Sequence, residues 1–535
     1  MTAFRRATLV ALLAALVLAV GCSRGSEQII LQDRYEAQPT EKVRLLFDLV
    51  HAYPQVPGGH LDKESYGYYE ITSWHSLLKA LTLAGVSSDL MVKGEITSSL
   101  LENYQLFCLF YPEHPAPPLS EQEIEALERW VRAGGGLMVV GEHHNIRHSS
   151  ERLNPLLLRF GLQLSYGCVI DDANAFAGGS WHKCFDFTEH PASQGVRAVA
   201  VRTATAIEID ESHPDRPRGL MASSPTAFLD DWDPEASPAF LGDYARQPEE
   251  PQGRFYEMAT ASPGQGRVVV VGDHNVFDNL TLRYVDNLKL ALQSWNWLAG
   301  EALRLPVREP ETTILVPETT RPSDIMNPDA TEGGQGAFAF YTFFTVLNRH
   351  PDTIAHCSEF LDSDYSAVLV VPQPSKFARP YLDYLVGQQQ KGASLLIMVD
   401  ATAEQGEGTK QVLQEFDLSL DLPTQKSQRK TGDLVVGDQT IGSCTLEVLS
   451  WEPKAEEKVL MKFVTDDGEY PIIVELSSGI QMVLQAQLFR SRAFQSNEGY
   501  NLPREGNRPN QDGLVVYQAL WAWLDDLHTK SSSRR

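Results

Sequence analysis

The chain has 535 residues, with 45 Lys and Arg against 70 Asp and Glu, a formal charge of −25. That balance argues against a nucleic-acid partner, whose phosphates call for a basic surface, and against a polybasic membrane patch. The length suits two to four domains.

Arg5 and Arg6 precede the apolar run ATLVALLAALVLAVG, and Cys22 follows it. A basic start, a short apolar stretch and small residues before a cleavage point mark a secretory signal. The segment LAVGC resembles the lipobox of bacterial lipoproteins, with Ala19 where leucine is usual. The resemblance makes Cys22 the acylated first residue of a mature chain held to the membrane by lipid. The expected location is therefore the bacterial cell envelope, facing the periplasm or the exterior. No other window approaches the roughly 20 apolar residues that span a bilayer. The five remaining cysteines, Cys108, Cys168, Cys184, Cys357 and Cys444, form no CxxC. Cys168 and Cys184 could pair in an oxidising compartment, and most of the five read as small buried side chains.

Residues 23–40 are polar and read as a tether. Val43–Leu49 is an apolar strand that closes on Asp48, with His51 just beyond. Ser73–Gly85 has helical spacing and ends on a C-cap glycine. Tyr104–Pro112 is a second uninterrupted apolar strand. Ser120 stands as N-cap of the next helix with Glu123 at capping-box distance, and Gly134 stops it. LMVVG then forms a third strand, ending in Glu142, His143 and His144. Apolar strands alternating with helices imply a parallel α/β sheet. Residues 166–265 read as a β-rich insertion that includes Val196–Asp210. A hairpin about Pro263–Gly266 follows, its second strand ending at Gly272 before Asp273 and His274. Asp286–Gly300 is a closing helix.

The order then repeats. Thr312–Pro317 stands for the first strand, Phe340–Pro351 for the first helix and Asp364–Pro374 for the second strand. PYLDYLVGQQQKGASLLIMVDAT matches EALERWVRAGGGLMVVGEHH, and YQALWAWLDDL matches LALQSWNWLAG. This predicts two tandem α/β domains, 41–300 and 312–528, after a signal at 1–22, with a linker at 301–311 and a tail at 529–535. In the second copy Glu142 aligns with Asp400, His143 with Ala401 and Asp273 with Ala486, so most polar strand ends are lost. Trp295, Trp297, Trp521 and Trp523 read as packing on the closing helices.

LLFDLVHAY, LFCLFYP, GGGLMVVGEHHN, RLNPLLLRFG and GRVVVVGDHNVFDN resemble an uncharacterised bacterial family of the class I glutamine amidotransferase-like superfamily. Related domains occur in the auxiliary component of gliding-motility ABC transporters and in an intraflagellar-transport subunit. The resemblance covers most of 43–300 and, more weakly, 312–527. It implies two flavodoxin-like domains. It also implies that the nucleophile position of true amidotransferases, a cysteine on a strand-to-helix turn, falls here at Glu142 or His143. Neither attacks as a thiolate does, and a nucleophile needs an exposed position beside a base.

Ligands of open parallel sheets bind beyond the carboxyl ends of strands. The candidate site is therefore Asp48, His51, Glu142, His143, His144, Asp273 and His274. Imidazoles and carboxylates together could hold a divalent metal or orient a polar ligand. Asp at a strand end also caps turns without any ligand, and GEHHN lacks the HExxH spacing of a zinc helix. His148, His182 and His190 read as surface or loop residues. The expected function is a non-catalytic ligand-binding or assembly module at the envelope with a protein partner, auxiliary to an ABC transporter. The alternative is an envelope hydrolase using Glu142, His143 and Asp273, with or without metal.

Overall fold

Runs of apolar residues with no polar interruption become the central strands, because both faces of the sheet are covered. The computed structural model describes the strand at 29–32 and residues 43–52, 74–110 and 116–303 apart from 177, 236–241 and 280. Beyond 303 it describes 312–317, 353–358, 363–372, 376–399, 406–418, 428–450, 457–485, 511–534 and a few single residues. Cys22 and most of the expected helix 340–351 lie outside the described residues, as does the expected tether 23–40 apart from Ile29–Gln32, which is not a polar tether but a strand paired with Asp89–Lys93.

The first half contains β1 (Ile29–Gln32), β2 (Val43–Asp48), β3 (Val86–Lys93), β4 (Leu106–Leu109) and β5 (Gly136–Val140). Then come β6 (Leu162–Leu164), β7 (Cys168–Ile170), β8 (Trp181–Cys184), β9 (Asp186–Phe187) and β10 (Val199–Arg202). After them run β11 (Ile207–Ile209), β12 (Arg218–Ala222), β13 (Phe228–Asp230), β14 (Tyr256–Ala261) and β15 (Arg267–Val271). The second half adds β16 (Thr312–Pro317), β17 (Thr353–Ser358), β18 (Ala367–Val370), β19 (Ser394–Met398) and β20 (Gln428–Val436). It ends with β21 (Gln439–Val448), β22 (Lys458–Thr465), β23 (Gly468–Glu475) and β24 (Gln481–Val483).

Two nine-stranded sheets result. The first has the order β1-β3-β2-β4-β5-β15-β14-β12-β9, and the second β17-β16-β18-β19-β24-β23-β22-β20-β21. In the first, β3, β2, β4, β5 and β15 are parallel neighbours, flanked by antiparallel β1 on one side and β14, β12 and β9 on the other. In the second, β17, β16, β18, β19 and β24 are parallel and β23, β22, β20 and β21 antiparallel. The expectation of parallel sheets with separate β-rich insertions is thus corrected to large mixed α/β sheets. The region 166–265 supplies sheet edge as well as insertion. The tight turn at Pro263–Gly266 lets β14 return beside β15, and β12 and β9 continue from it. Among the described residues of this region, the short pairs β8/β10, β6/β11 and β7/β13 stay outside the large sheet.

Side chains alternate across each strand, so Leu45 and Phe47 enter one core and Leu46 the core on the opposite face. The helix Glu121–Arg132 covers the second of these with Ile124, Leu127 and Val131. Its capping box forms: Ser120 Oγ accepts from Glu123 N, and Ser120 N donates to Glu123 Oε2 at 2.9 Å. Such a cap stabilises by about 1 kcal/mol. The two halves share a core, in which Phe176, Trp181, Tyr284 and Val285 join side chains of the second sheet. Backbone bonds also join them, from Val285 N to Cys357 O at 3.0 Å and from Cys357 N to Arg283 O at 2.9 Å. Trp295, Trp297, Trp521 and Trp523 are all buried in cores.

Candidate functional site

β5 and β15 are adjacent and parallel, with Val140 opposite Val271. Gly141-Glu142-His143 and Gly272-Asp273-His274 therefore leave the sheet side by side. Glycine is required at 272, where a Cβ would stand 2.4 Å from Thr205 O. Past it the backbone is extended at Asp273, whose Oδ1 accepts from Asn275 N at 2.7 Å and starts a 3₁₀ turn, His274–Phe277.

The four side chains converge. His143 Nδ1 lies 2.5 Å from Glu142 Oε1 and 3.1 Å from Asp273 Oδ2. His274 Nδ1 lies 3.0 Å from Glu142 Oε2 and 3.3 Å from Asp273 Oδ1. Each imidazole thus faces both carboxylates. Glu142, Asp273 and His274 are buried, and His143 is the least buried of the four, with 12 % of its side chain exposed against 8 % for His274. Burial disfavours charge, yet the two carboxylates outweigh it and raise His143 to about 9 and His274 to about 10. Burial also opposes the Glu142 carboxylate, but His274 and His143 hold it well below the usual range. Asp273 is pushed up by burial and by the charge of Glu142. Two imidazoles and two carboxylates thus meet in one closed quartet. Glu142, Asp273 and His274 also offer ligand atoms within 4.8 Å of one another, close enough to share one divalent cation.

The backbone around the quartet is strained. His144, Asn145, Arg147 and His148 all have φ between 45° and 64°. Asn145 is braced by Glu151, whose N–H donates to Asn145 Oδ1 at 3.2 Å. Thr203, a β-branched residue, sits at φ 60° and donates its hydroxyl to Asp273 Oδ2 at 2.8 Å. Positive φ is a clear outlier for such a residue, and strain of this kind gathers at functional sites.

The other expected residues separate from this group. His144 turns away and donates from Nε2 to Asp230 Oδ2 at 2.6 Å, beneath the Tyr244 ring. Burial lowers its pKa. Asp230 also lines an acidic cavity of about 310 Å³ with Asp231, Asp233, Asp243, Glu249 and Glu250. Asp48 and His51 form a second cluster. His51 Nδ1 is 2.7 Å from Asp48 Oδ2, and its Nε2 is 3.6 Å from Glu123 Oε1. β4 stands between β2 and β5, which puts the two strand ends about 10 Å apart, so the seven expected residues fall in three places: the quartet, Asp48 with His51, and His144 with Asp230. Asp48 Oδ1 accepts from Val50 N at 2.9 Å, and Glu123 Oε1 accepts from Ile96 N at 3.0 Å. Burial opposes charge here too, but Asp48 and Glu123 raise His51 to about 9, and His51 with Ser120 brings Glu123 down to about 2. This cluster ties β2 to a helix start, the turn-capping alternative.

Several contributors carry no sequence signal: Thr203, Asp230 and Glu123 are scattered in unremarkable contexts. His182 is not a surface residue but fully buried on β8, beside Cys184 and Glu257. His148 and His190 are both half-buried. Cys168 and Cys184 are both free thiols, as are Cys108, Cys357 and Cys444. Burial pushes the thiols of Cys108, Cys168 and Cys184 well up.

Backbone pairing also fixes how the two halves correspond. Gly141 N bonds Val271 O as Val399 N bonds Val483 O, which equates Asp273 with Gln485 and not with Ala486. Likewise Gly272 N bonds Glu257 O as Leu484 N bonds Ile472 O, which equates Glu257 with Ile472. Asp400, Ala401 and Ala486 lie outside the described residues.

The fold and site define a mixed α/β protein with a buried acid–imidazole cluster at two strand ends. Residues 109–294, which contain that cluster, match a family described as Domain of unknown function (DUF4350). No curated protein matches the chain. Among solved structures, the mmIFT52 N-terminal domain is similar, at 17 % identity and a TM-score of 0.35, covering 49 % of this chain and 100 % of that one. A ThuA-like protein of Bacteroides uniformis is similar at 14 % identity and a TM-score of 0.27, covering 48 % and 90 %. A ThuA-like protein of Parabacteroides merdae is similar at 13 % and 0.28, covering 50 % and 94 %.

Proposed function

We propose that this chain is a lipid-anchored, non-catalytic ligand-binding or assembly module of the bacterial cell envelope. In this reading two flavodoxin-like units, 41–300 and 312–528, are joined near 301–311. The first presents the quartet and the second serves as scaffold for a protein partner such as an ABC transporter. The observation that carries the reading is the quartet itself, held on strained backbone with His143 the least buried of its members. A polar ligand arriving at His143 meets a preset pattern of charge. Amidotransfer is disfavoured because Cys108, Cys168 and Cys184 are buried and their thiols are pushed up, not down. The hydrolase alternative needs an imidazole that is unprotonated near neutral pH, whereas the two carboxylates raise His143 to about 9 and His274 to about 10.

Two measurements test this. Purified full chain is expected to turn over no ester, amide or glycoside above background, and hydrolysis abolished by His143→Ala would overturn the non-catalytic reading. In a bacterial host, Cys22→Ala is expected to move the protein from the membrane fraction to the soluble fraction. Unchanged membrane retention would count against the lipid anchor.

A further inference from the structure

A second cluster lies outside the quartet and uses residues that the proposed function leaves idle. β8 belongs to the two-stranded sheet with β10, whereas β14 belongs to the large sheet. His182 and Cys184 are two positions apart on β8, so they share a face, and both meet Glu257 of β14. His182 Nε2 is 2.9 Å from Glu257 Oε1, and Cys184 Sγ is 3.3 Å from the same oxygen. The three donor groups lie within 4.8 Å of one another, and all three residues are at most 1 % exposed.

Two details point to a ligand among them. His182 Nδ1 is 3.1 Å from Gly179 O, so an N–H there leaves the Nε2 lone pair directed at Glu257. Metal-bound imidazoles are oriented in this way, by a carbonyl on the far nitrogen. Glu257 Oε2, in turn, is buried and has no hydrogen-bond partner. Without a cation, a lone pair faces a carboxylate unless His182 takes a second proton, and one carboxylate oxygen is stranded in either case.

We infer that His182 Nε2, Cys184 Sγ and the Glu257 carboxylate hold a divalent ion of the zinc class, both carboxylate oxygens chelating it together from one corner of the coordination shell. Zinc lies about 2.0–2.1 Å from nitrogen or oxygen and about 2.3 Å from sulfur, so tetrahedral donors stand roughly 3.3–3.5 Å apart. The observed 2.9 and 3.3 Å are near that spacing and need only a small outward shift. Thiolate with imidazole selects zinc or cobalt over magnesium or calcium. A dication with one thiolate and one carboxylate is neutral, which suits full burial, and binding releases the Cys184 thiol proton to solvent. The ion would staple the small sheet to the strand whose Glu257 O receives Gly272 N, directly before Asp273. In the second half Ile472 replaces Glu257, so the shared topology does not itself call for these ligands.

The full chain tests the inference, and sulfur separates this site from the quartet, which has none. Protein unfolded in chelator and refolded with cobalt(II) is expected to show a thiolate-to-cobalt charge-transfer band in the near ultraviolet. Cys184→Ser should abolish the band, while Cys168→Ser and His143→Ala should keep it. Protein grown with zinc should retain about one ion per chain. Refolded wild type with neither band nor retained zinc would overturn the site, as would a band that survives Cys184→Ser. If Cys184→Ser fails to fold, the wild-type spectrum alone decides. His143→Ala enters only as a control, so the proposed function stands or falls separately.

Discussion

At the carboxyl ends of the fourth and fifth parallel strands, the two sheets solve one structural problem differently. In the second half, Gln485 follows β24 and stays neutral. Its Oε1 accepts from Leu449 N at 3.1 Å, and its Nε2 donates to Pro471 O at 2.8 Å. The equivalent Asp273 instead brings a buried carboxylate into contact with two imidazoles. Val399 and Leu484 stand where the first half has Gly141 and Gly272. A neutral amide thus suffices to close such a strand end, whereas burying charges costs several kcal/mol per ion before pairing returns it. The fold does not demand the quartet, and this is the physical case for a function there.

Removing one carboxylate gives the largest contrast. Glu142→Ala leaves two imidazolium groups on Asp273 alone, and breaking a buried ion network in this way costs about 3–5 kcal/mol. Gln485→Ala orphans one N–H and one carbonyl, costing about 1–3 kcal/mol. Denaturant midpoints of the two variants check the order. A Gln485→Ala loss equal to or larger than that of Glu142→Ala would remove the distinction between the halves.

The pH dependence should separate the same regions. His143 and His274 are raised from 6.5 to about 9 and 10, so the stability they lend is complete below pH 6.5 and fades as pH climbs to 10. His51 behaves alike, up to about 9. His356, at the junction with the second half, goes the other way. Burial, helped by the Arg283 charge, lowers it to about 4, so its contribution is intact above pH 6.5 and is lost as pH falls toward 4. Hydrogen exchange followed across pH should show the first-half strand ends opening in alkali and the Val285–Cys357 junction opening in acid. Uniform loosening of both halves in alkali would contradict this assignment.

How much of this was legible follows from what each segment must bury. β2, β4, β5 and β15 announce themselves as apolar runs, and Ser120 with Glu123 announces a helix start. β3 does not, because Ser87, Ser88 and Asp89 interrupt it; Asp89 is accommodated by Arg44 and Tyr104, which are distant in sequence. Glu142, His143, Asp273 and His274 were legible as ends of neighbouring strands. Asp48 and His51 looked equivalent, but strand order, with β4 interposed, decides that they cannot join. His182, Cys184 and Glu257 lie in segments whose pairing across sheets no local pattern encodes.

The smallest expected effect concerns Thr203. Its positive φ costs on the order of 1–3 kcal/mol, and its hydroxyl bond to Asp273 returns about 0.5–1.5 kcal/mol. Thr203→Gly removes both at once, relieving strain while leaving one Asp273 oxygen with only His143 as partner. Glycine also loosens the unfolded chain, which takes back roughly 0.5–1 kcal/mol. These contributions nearly cancel, so the unfolding midpoint should move by no more than the equivalent of about 1 kcal/mol, while ligand affinity falls as Asp273 loses its anchor. Thr203→Val keeps the strain and loses the bond, and it should be the less stable of the two. If Thr203→Gly were instead the more damaging, the strained backbone would have no part in holding the quartet, and the contrast with Gln485 would rest on charge alone.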